Sequence, residues 1–383
     1  MRLLSTLALI TTTAVLPAQD FDFKGVPADY TVTFASSGTS GLKISDSPEA
    51  KAWRERMEKS LKERSAKDGS GPMAGMTSSK EVQAAIKAAT GIDMESHDNR
   101  FAGGFVINDE FVNATRGGSE KFTGGLIFRG HHDSKKLAAY AAGKKVTAIK
   151  AGTTQGWQAL EFLRTFGSNF DQVTAQMATA AGPKSEPFAI FDLDDETIVM
   201  AQPQEAARMI ALLKGKGKSY ALPSALNPQL AATGRPYMVL AFDAAKMAPS
   251  KALTDSGFQG ALFAMGEKSS DQIMKISTYF TSKEKAAPMA QQAQGMMAMM
   301  PMMLAGDPRK PQSEADKEMK AVLGELLAGI QPIEAVDSQI TLTAKWDTVK
   351  LLGIFEKLMP IVDAQAKAAK DAQAKTLPKP ATK

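Results

Sequence analysis

The chain has 383 residues, of which 44% are hydrophobic, and it carries a formal net charge of +5 at pH 7. This much apolar material is ample for a hydrophobic core and is typical of two or three domains' worth of chain. The charge is a mild excess spread along the chain, which argues against nucleic acid as a partner. Cysteine is absent, and this excludes disulfides, thiolate metal sites, cysteine nucleophiles and the anchoring cysteine of a bacterial lipoprotein.

The first residues have the pattern of a secretory signal peptide. Arg2 gives a positive start, an apolar stretch runs from Leu3 to Leu16, and Ala18 is a small residue beside a polar exit. The stretch is shorter than the roughly 20 apolar residues of a membrane span. We therefore predict a signal peptide over 1–18, cleaved near Ala18, and a periplasmic or secreted protein. No later stretch predicts a transmembrane segment.

The region 19–90 predicts a strand and helices joined by a linker. Apolar residues alternate around Val32, as in a strand. A helix is predicted from Pro48, and a second one, with a capping-box start, lies between Ser78 and Gly91. The segment 66–77 is rich in Gly, Ser and Pro, which indicates a flexible linker.

The region 91–222 has the pattern of an α+β module. Its clearest feature is a hairpin over Pro187–Ala201, where two β-rich runs flank an acidic turn at Asp194 and Asp195. A helix from Pro203 to Gly215 follows it. Further strands are predicted at Phe101–Ile107, Glu110–Thr115, Gly125–Arg129, Val146–Lys150 and Trp157–Leu163, and a further helix at Ser134–Ala142.

The region 223–362 repeats the order of hairpin and then helix more loosely. This order predicts an α+β fold in which antiparallel sheet carries helices on one face, with the two modules related by duplication as a hypothesis. The tail 363–383, rich in Ala, Lys and Pro, is expected to be disordered. Strands are predicted at Tyr237–Phe242, Ala261–Met265, Ile273–Phe280 and Gln339–Lys345, and helices at 283–300, at 314–330 and after Asp347.

Two short sequence segments resemble those of a loose group of exported bacterial proteins of unknown function. They are VPADYTVT at Val26–Thr33 and TGIDMESHDNRFAGGF at Thr90–Phe105. The resemblance implies an α+β protein of the cell envelope and implies no active-site residues.

The histidines His131 and His132 are candidates for a metal or acid–base site. They follow a predicted strand and are followed by Asp133. The other histidine of the chain is His97, which also has acidic neighbours. The alternative interpretation is that Asp133 caps a helix and that the histidines lie in an ordinary surface turn.

Four carboxylates in the predicted hairpin, at Asp192, Asp194, Asp195 and Glu196, are dense enough to raise calcium as a ligand. They lack the glycine and the distal glutamate of an EF-hand loop. A hairpin turn accounts for all four residues without a metal ion.

A methionine-rich segment is the most unusual feature of the composition. Thioethers are soft ligands for Cu(I) or Ag(I). They also suit apolar surfaces that meet a partner or a lipid, but the simplest interpretation is a buried helix end. The residues concerned are Met296, Met297, Met299, Met300, Met302 and Met303.

The chain has no Gly-x-Ser-x-Gly elbow, no phosphate-binding loop and no dinucleotide fingerprint, so it predicts no catalytic residues and no cofactor. We expect a non-catalytic binding or scaffolding protein of the periplasm or cell envelope. Its partner would be an envelope component or an apolar ligand. The alternatives are copper handling through the methionine-rich segment and carriage of an apolar ligand.

Overall fold

The computed structural model describes a protein built on one antiparallel sheet. In the described residues the sheet has twelve strands in the order β11-β12-β10-β9-β8-β1-β2-β3-β7-β6-β5-β4. The strands are Val32–Ser36 (β1), Arg100–Phe105 (β2), Gly124–Arg129 (β3), Ala148–Ala151 (β4), Thr154–Gln158 (β5), Ala189–Asp194 (β6), Thr197–Ala201 (β7), Arg235–Asp243 (β8), Phe258–Lys268 (β9), Asp271–Phe280 (β10), Glu334–Val336 (β11) and Gln339–Asp347 (β12). The described residues are 21–37, 48–49, 51–53, 55–56, 80–93, 96, 98–107, 123–166, 186–247, 251–305, 314–358 and 360–361.

Local sequence signals mark one end of three helices, α1, α2 and α9. Asp133 caps α2 by accepting a hydrogen bond from the backbone of Lys136, and Asp347 caps α9 in the same way through Lys350. Gly91 ends α1 with a φ of +76°, a left-handed conformation that favours glycine. The helices are Lys80–Thr90 (α1), Ser134–Gly143 (α2), Ala159–Arg164 (α3), Pro203–Leu213 (α4), Asn227–Ala231 (α5), Lys251–Ser256 (α6), Lys283–Ala305 (α7), Glu314–Leu327 (α8) and 348–358 (α9). Helical residues also occur at 48–49, 51–53 and 55–56.

The predicted α+β class and its antiparallel sheet are confirmed, and so is the hairpin of β6 and β7. The strand predicted over Trp157–Leu163 is wrong beyond Gln158, because α3 begins at Ala159. Good helix formers fill that segment, and Ala159 and Phe162 are buried on one side of the helix. The signal peptide 1–18, the linker 66–77, the strand Glu110–Thr115 and the tail 363–383 lie outside the described residues.

Helices pack on both faces of the sheet. The order of elements in the sequence had predicted helices on one face only. On β7, Val199 belongs to a core with Met209 of α4, and its neighbour Ile198 belongs to a core with Leu137 of α2. Successive side chains of a strand point to opposite faces, so β7 is buried on both. We call the face of Val199 the inner face and the face of Ile198 the outer face.

The two predicted modules contribute strands to the same sheet. The central strand β1 pairs with β2 on one side and with β8 on the other. On the outer face near the far edge, Ala286 and Ala290 of α7 pack on Ile340, and Ile354 of α9 packs on a cluster with Trp346. The division into 91–222 and 223–362 and the duplication stay predictions. Within the described part of the chain, no helix has both the length and the apolarity to cross a bilayer.

Candidate functional site

Five adjacent strands place apolar side chains side by side on the outer face. Leu240 is 38% exposed and Ile276 is 36% exposed, although both lie in the middle of long strands. Four strand spacings of about 4.8 Å give this row a length of about 19 Å. We call it the apolar row, and its successive cross-strand partners are Phe34, Leu240, Phe263, Ile276 and Leu342 on β1, β8, β9, β10 and β12.

Buried clusters flank the apolar row without including it. The cluster of α2 and α3 covers the outer face on the side of β3, β6 and β7, and the clusters of α7, α8 and α9 cover it near β12. None of the five residues of the row belongs to a buried cluster formed by the described residues. At its β1 end, the ring of Phe34 lies over Gly103 of β2, where an added Cβ would come within 3.0 Å of it. The row is therefore a partly exposed apolar strip between covered regions.

A second row of cross-strand partners lies beside the apolar row, two residues away from it on each strand. Met238, Met265 and Met274 are neighbours on β8, β9 and β10, and we call them the methionine row. All three side chains are partly buried on the same face as the apolar row. Beyond them Gln272 is buried, and its side-chain oxygen accepts a 2.8 Å hydrogen bond from the hydroxyl of Tyr237.

The inner face of the second region holds two clefts, one on each side of the segment that contains α5. One has a volume of about 380 Å³ and is mainly apolar, with Leu226 and Tyr279 in its lining. Burial raises the pKa of Tyr279 to about 12. The other, of about 340 Å³, is polar and brings Lys268, Lys275 and Lys345 together with two carboxylates. Because Lys345 pairs with Asp271 at 2.8 Å, the lysines of this cleft are partly neutralised.

The structure joins two of the predicted sites into one cluster. Nε2 of His132 lies 2.9 Å from Oδ1 of Asp192, and Nδ1 lies 3.2 Å from the carbonyl oxygen of Gly130. The hydroxyl of Ser134 donates to the same Asp192 oxygen, and the backbone N–H of Ser134 donates to Asp195, both at 3.0 Å. The cluster fastens the start of α2 to the hairpin of β6 and β7.

This geometry favours a structural ion pair over an acid–base site. Both ring nitrogens of His132 face acceptors, and its side chain has no exposed surface. Burial lowers the pKa of His132, but the hydrogen bonds to Asp192 and Gly130 and the charges of Asp192 and Asp195 outweigh it and raise that pKa. Ser134 donates to the carboxylate and not to the imidazole, so it is not paired with a base.

The other predicted ligands lie apart from this cluster. His131 is exposed, and His97 lies outside the described residues. In the hairpin turn, Asp194 accepts the backbone N–H of Glu196 at 3.0 Å, which is the ordinary role of a turn aspartate. Among the described residues, no group of three histidine, aspartate or glutamate side chains could hold a metal ion.

The methionine-rich segment forms the second half of α7. Met296 is 55% exposed and Met299 is 53% exposed, so the interpretation as a buried helix end is wrong for them. The reason is that, among the side chains of α7 that the structure describes, the buried ones are Ala286 and Ala290 in its first half. Met297 and Met300 are partly buried, and the side chains of Met302 and Met303 lie outside the description.

Sequence reasoning missed the apolar row and the methionine row. The alternation of Met238, Leu240 and Phe242 along β8 was a signal that this strand has an apolar outer face. Nothing in the local sequence revealed that Leu240 and Ile276 on this face would stay partly exposed.

No protein-family model matches the chain, and no curated protein matches it. Among solved structures, crystal form I of TP0453 matches with a TM-score of 0.37 and 8% identity, over 89% of this chain and 98% of that chain. Crystal form III of TP0453 matches with a TM-score of 0.39 and 8% identity, over 88% of this chain and 98% of that chain. Crystal form IV matches with a TM-score of 0.40 and 9% identity, over 88% of this chain and 97% of that chain.

Proposed function

We propose that the chain is an exported, non-catalytic binding protein of the periplasm or cell envelope that carries an acyl chain on the apolar row. The signal-peptide pattern supports export. The observation that carries the proposal is the partial exposure of Leu240 and Ile276 in the middle of the sheet. The solvated face of an antiparallel sheet is usually polar, so partly exposed apolar side chains at its centre depart from the usual pattern.

The dimensions and chemistry of the row favour an extended hydrocarbon. The row is about 19 Å long. None of its five residues is charged, and the adjacent methionine row adds thioethers, which adapt to the shape of an apolar ligand. Polar ligands such as sugars would leave hydroxyl groups without partners here, at a cost of about 1–3 kcal/mol for each.

A hydrolytic function receives less support from the same structure. His132 uses both ring nitrogens to hold Asp192 and Gly130, so it is not free to take a proton from a nucleophile. Its cluster lies at the end of β6 and the start of α2, on the side of the sheet away from β8–β12.

The test begins with protein purified from its native host without detergent and examined by mass spectrometry. We expect a bound fatty acid or other acyl lipid. In the delipidated protein, N-phenyl-1-naphthylamine should then bind with enhanced fluorescence, and a long-chain fatty acid should displace it.

Leu240→Gln and Ile276→Gln should each weaken binding of this probe by about tenfold, because the loss of one apolar contact surface costs about 1.5 kcal/mol. The matched control is Val349→Gln in α9, since Val349 is 53% exposed but lies outside the row. An empty mass spectrum, together with equal probe affinity in all three variants and the wild type, would refute the proposal.

A further inference from the structure

We propose that Met238, Met265 and Met274 form a binding site for a soft monovalent cation, Cu(I) or Ag(I). The three residues are cross-strand partners on the adjacent strands β8, β9 and β10, and they point to the same face. The site differs from the methionine-rich segment of α7, and the proposal does not depend on the binding of an acyl chain.

The spacing of the strands allows three thioethers to reach one ion. Adjacent strands lie about 4.8 Å apart, so the outer two methionines each start about 4.8 Å to one side of Met265. A three-coordinate ion with metal–sulfur bonds of about 2.3 Å requires each outer sulfur to lean inward by about 3 Å. An unbranched side chain with three rotatable bonds makes such a movement without any change in the backbone.

The ligand chemistry selects the metal. Thioethers are neutral and soft, and they prefer Cu(I) over harder ions, which bind oxygen. Neither the methionine row nor the apolar row contains a charged residue. They therefore provide no carboxylates to offset the charge of a divalent ion. A monovalent ion therefore costs least to desolvate here.

A carboxylate and a guanidinium of opposite formal charge adjoin the methionine row, so together they add no net charge against a single positive ion. Glu267 is 7% exposed and lies two residues beyond Met265 on β9, across from Gln272 on β10 and Arg235 on β8. The charge of Glu267 also acts on the neighbouring Tyr237. Burial and this charge together raise the pKa of Tyr237 to about 12.

The placement also suits an exported protein without cysteine. Methionine is not among the residues that sheets favour; β-branched and aromatic residues are. Three methionines nonetheless occupy neighbouring positions on central strands, and their side chains are accessible in part. Thioethers have no proton to lose, so the site would bind over a wide range of pH.

The experiment titrates the full chain with Ag(I) in chloride-free buffer, and with Cu(I) under ascorbate in competition with bathocuproine disulfonate. We expect the wild type to bind one ion. A triple variant with Met238→Leu, Met265→Leu and Met274→Leu should bind it at least about tenfold more weakly. A control triple variant, with Met296→Leu, Met297→Leu and Met299→Leu in α7, should bind as the wild type does.

Leucine preserves the volume, so the variants should fold, and circular dichroism verifies this. If the triple variant is unstable, methyl-labelled methionine NMR of the wild type replaces it, with the resonances assigned through single Leu variants. Ag(I) should shift the methyl signals of Met238, Met265 and Met274. Unchanged affinity in the sheet variant, shifts confined to other methionines, or a loss only in the α7 variant would overturn the proposal.

The outcome is separable from that of the acyl-chain proposal. Leu240→Gln weakens the apolar row but leaves all three thioethers in place, so it should still bind Ag(I) as the wild type does. A wild type that binds Ag(I) but neither the probe nor an acyl lipid would refute the acyl-chain proposal alone.

Discussion

The side chain of His132 joins two elements that are separate in sequence. Its imidazole is buried between the Gly130 carbonyl and the Asp192 carboxylate, and both of these groups accept hydrogen bonds. Only the doubly protonated ring can donate to both at once. We therefore expect the folded chain to favour the charged form of His132.

Stability should therefore fall as the pH rises. The pKa of His132 in the folded chain is raised above that of an unfolded histidine, which is about 6.5. The contribution of the ion pair is fully present below the unfolded pKa and is lost as the pH rises through the folded pKa. We expect His132→Gln to reduce the free energy of unfolding by about 1–3 kcal/mol at pH 5.5, and by less at pH 9, in urea titrations.

His131→Gln is the matched control, because its side chain is exposed and adjoins the same turn. This variant should unfold like the wild type at both pH values. A difference between wild type and His132→Gln that stays constant from pH 5.5 to pH 9 would show that the ring is neutral in the folded chain.

At the scale of elements, the sequence predicted most strands and helices but not their neighbours. Alternation and turn residues revealed β9, β10 and the hairpin of β6 and β7, since these signals are local. The apolar row joins Phe34 to Leu240, which are far apart in the chain and share no local signal. The pairing of His132 with Asp192 was hidden for the same reason.

Glycines on the inner face let neighbouring elements approach the sheet, and Gly104 is the clearest case. A Cβ there would lie 2.6 Å from the ring of Tyr30 and closer still to the carbonyl oxygen of Val32. Tyr30 is itself fixed by its hydroxyl, which donates to Glu205 of α4 at 2.9 Å. Neither group can move away without breaking β1 pairing or this hydrogen bond.

We expect Gly104→Ala to lower the free energy of unfolding by about 1–3 kcal/mol, the usual cost of overpacking. The measurement is the midpoint of urea unfolding. Gly143→Ala in α2 is the control, because a Cβ at Gly143 meets no atom within 4 Å. It should leave stability unchanged or raise it slightly, as alanine is the better helix former. Equal effects of the two substitutions would refute the close approach at Gly104.

For the whole molecule, the central position of β1 decides how the two regions depend on each other. β1 is the partner of both β2 and β8, so neither half of the sheet keeps a complete set of backbone hydrogen bonds without it. The apolar row also starts on β1, in the region 19–90, and continues on β8, in the region 223–362, so the proposed binding surface requires β1 in place beside β8. A division into independently folding modules is therefore not expected.

The tryptophans allow this expectation to be tested. Trp157 lies in β5 and Trp346 in β12, so each reports on one side of the sheet. In a Trp53→Phe background, variants that keep only one of these two tryptophans should give coincident unfolding transitions, as a single cooperative unit does. Val32, in β1, is 5% exposed. Val32→Ala should lower the free energy of unfolding reported by Trp157 and that reported by Trp346 by the same amount, roughly 2 kcal/mol. Two separate midpoints, or a shift in one reporter alone, would instead favour two independent modules, because a shared central strand cannot be weakened for only one of its partners.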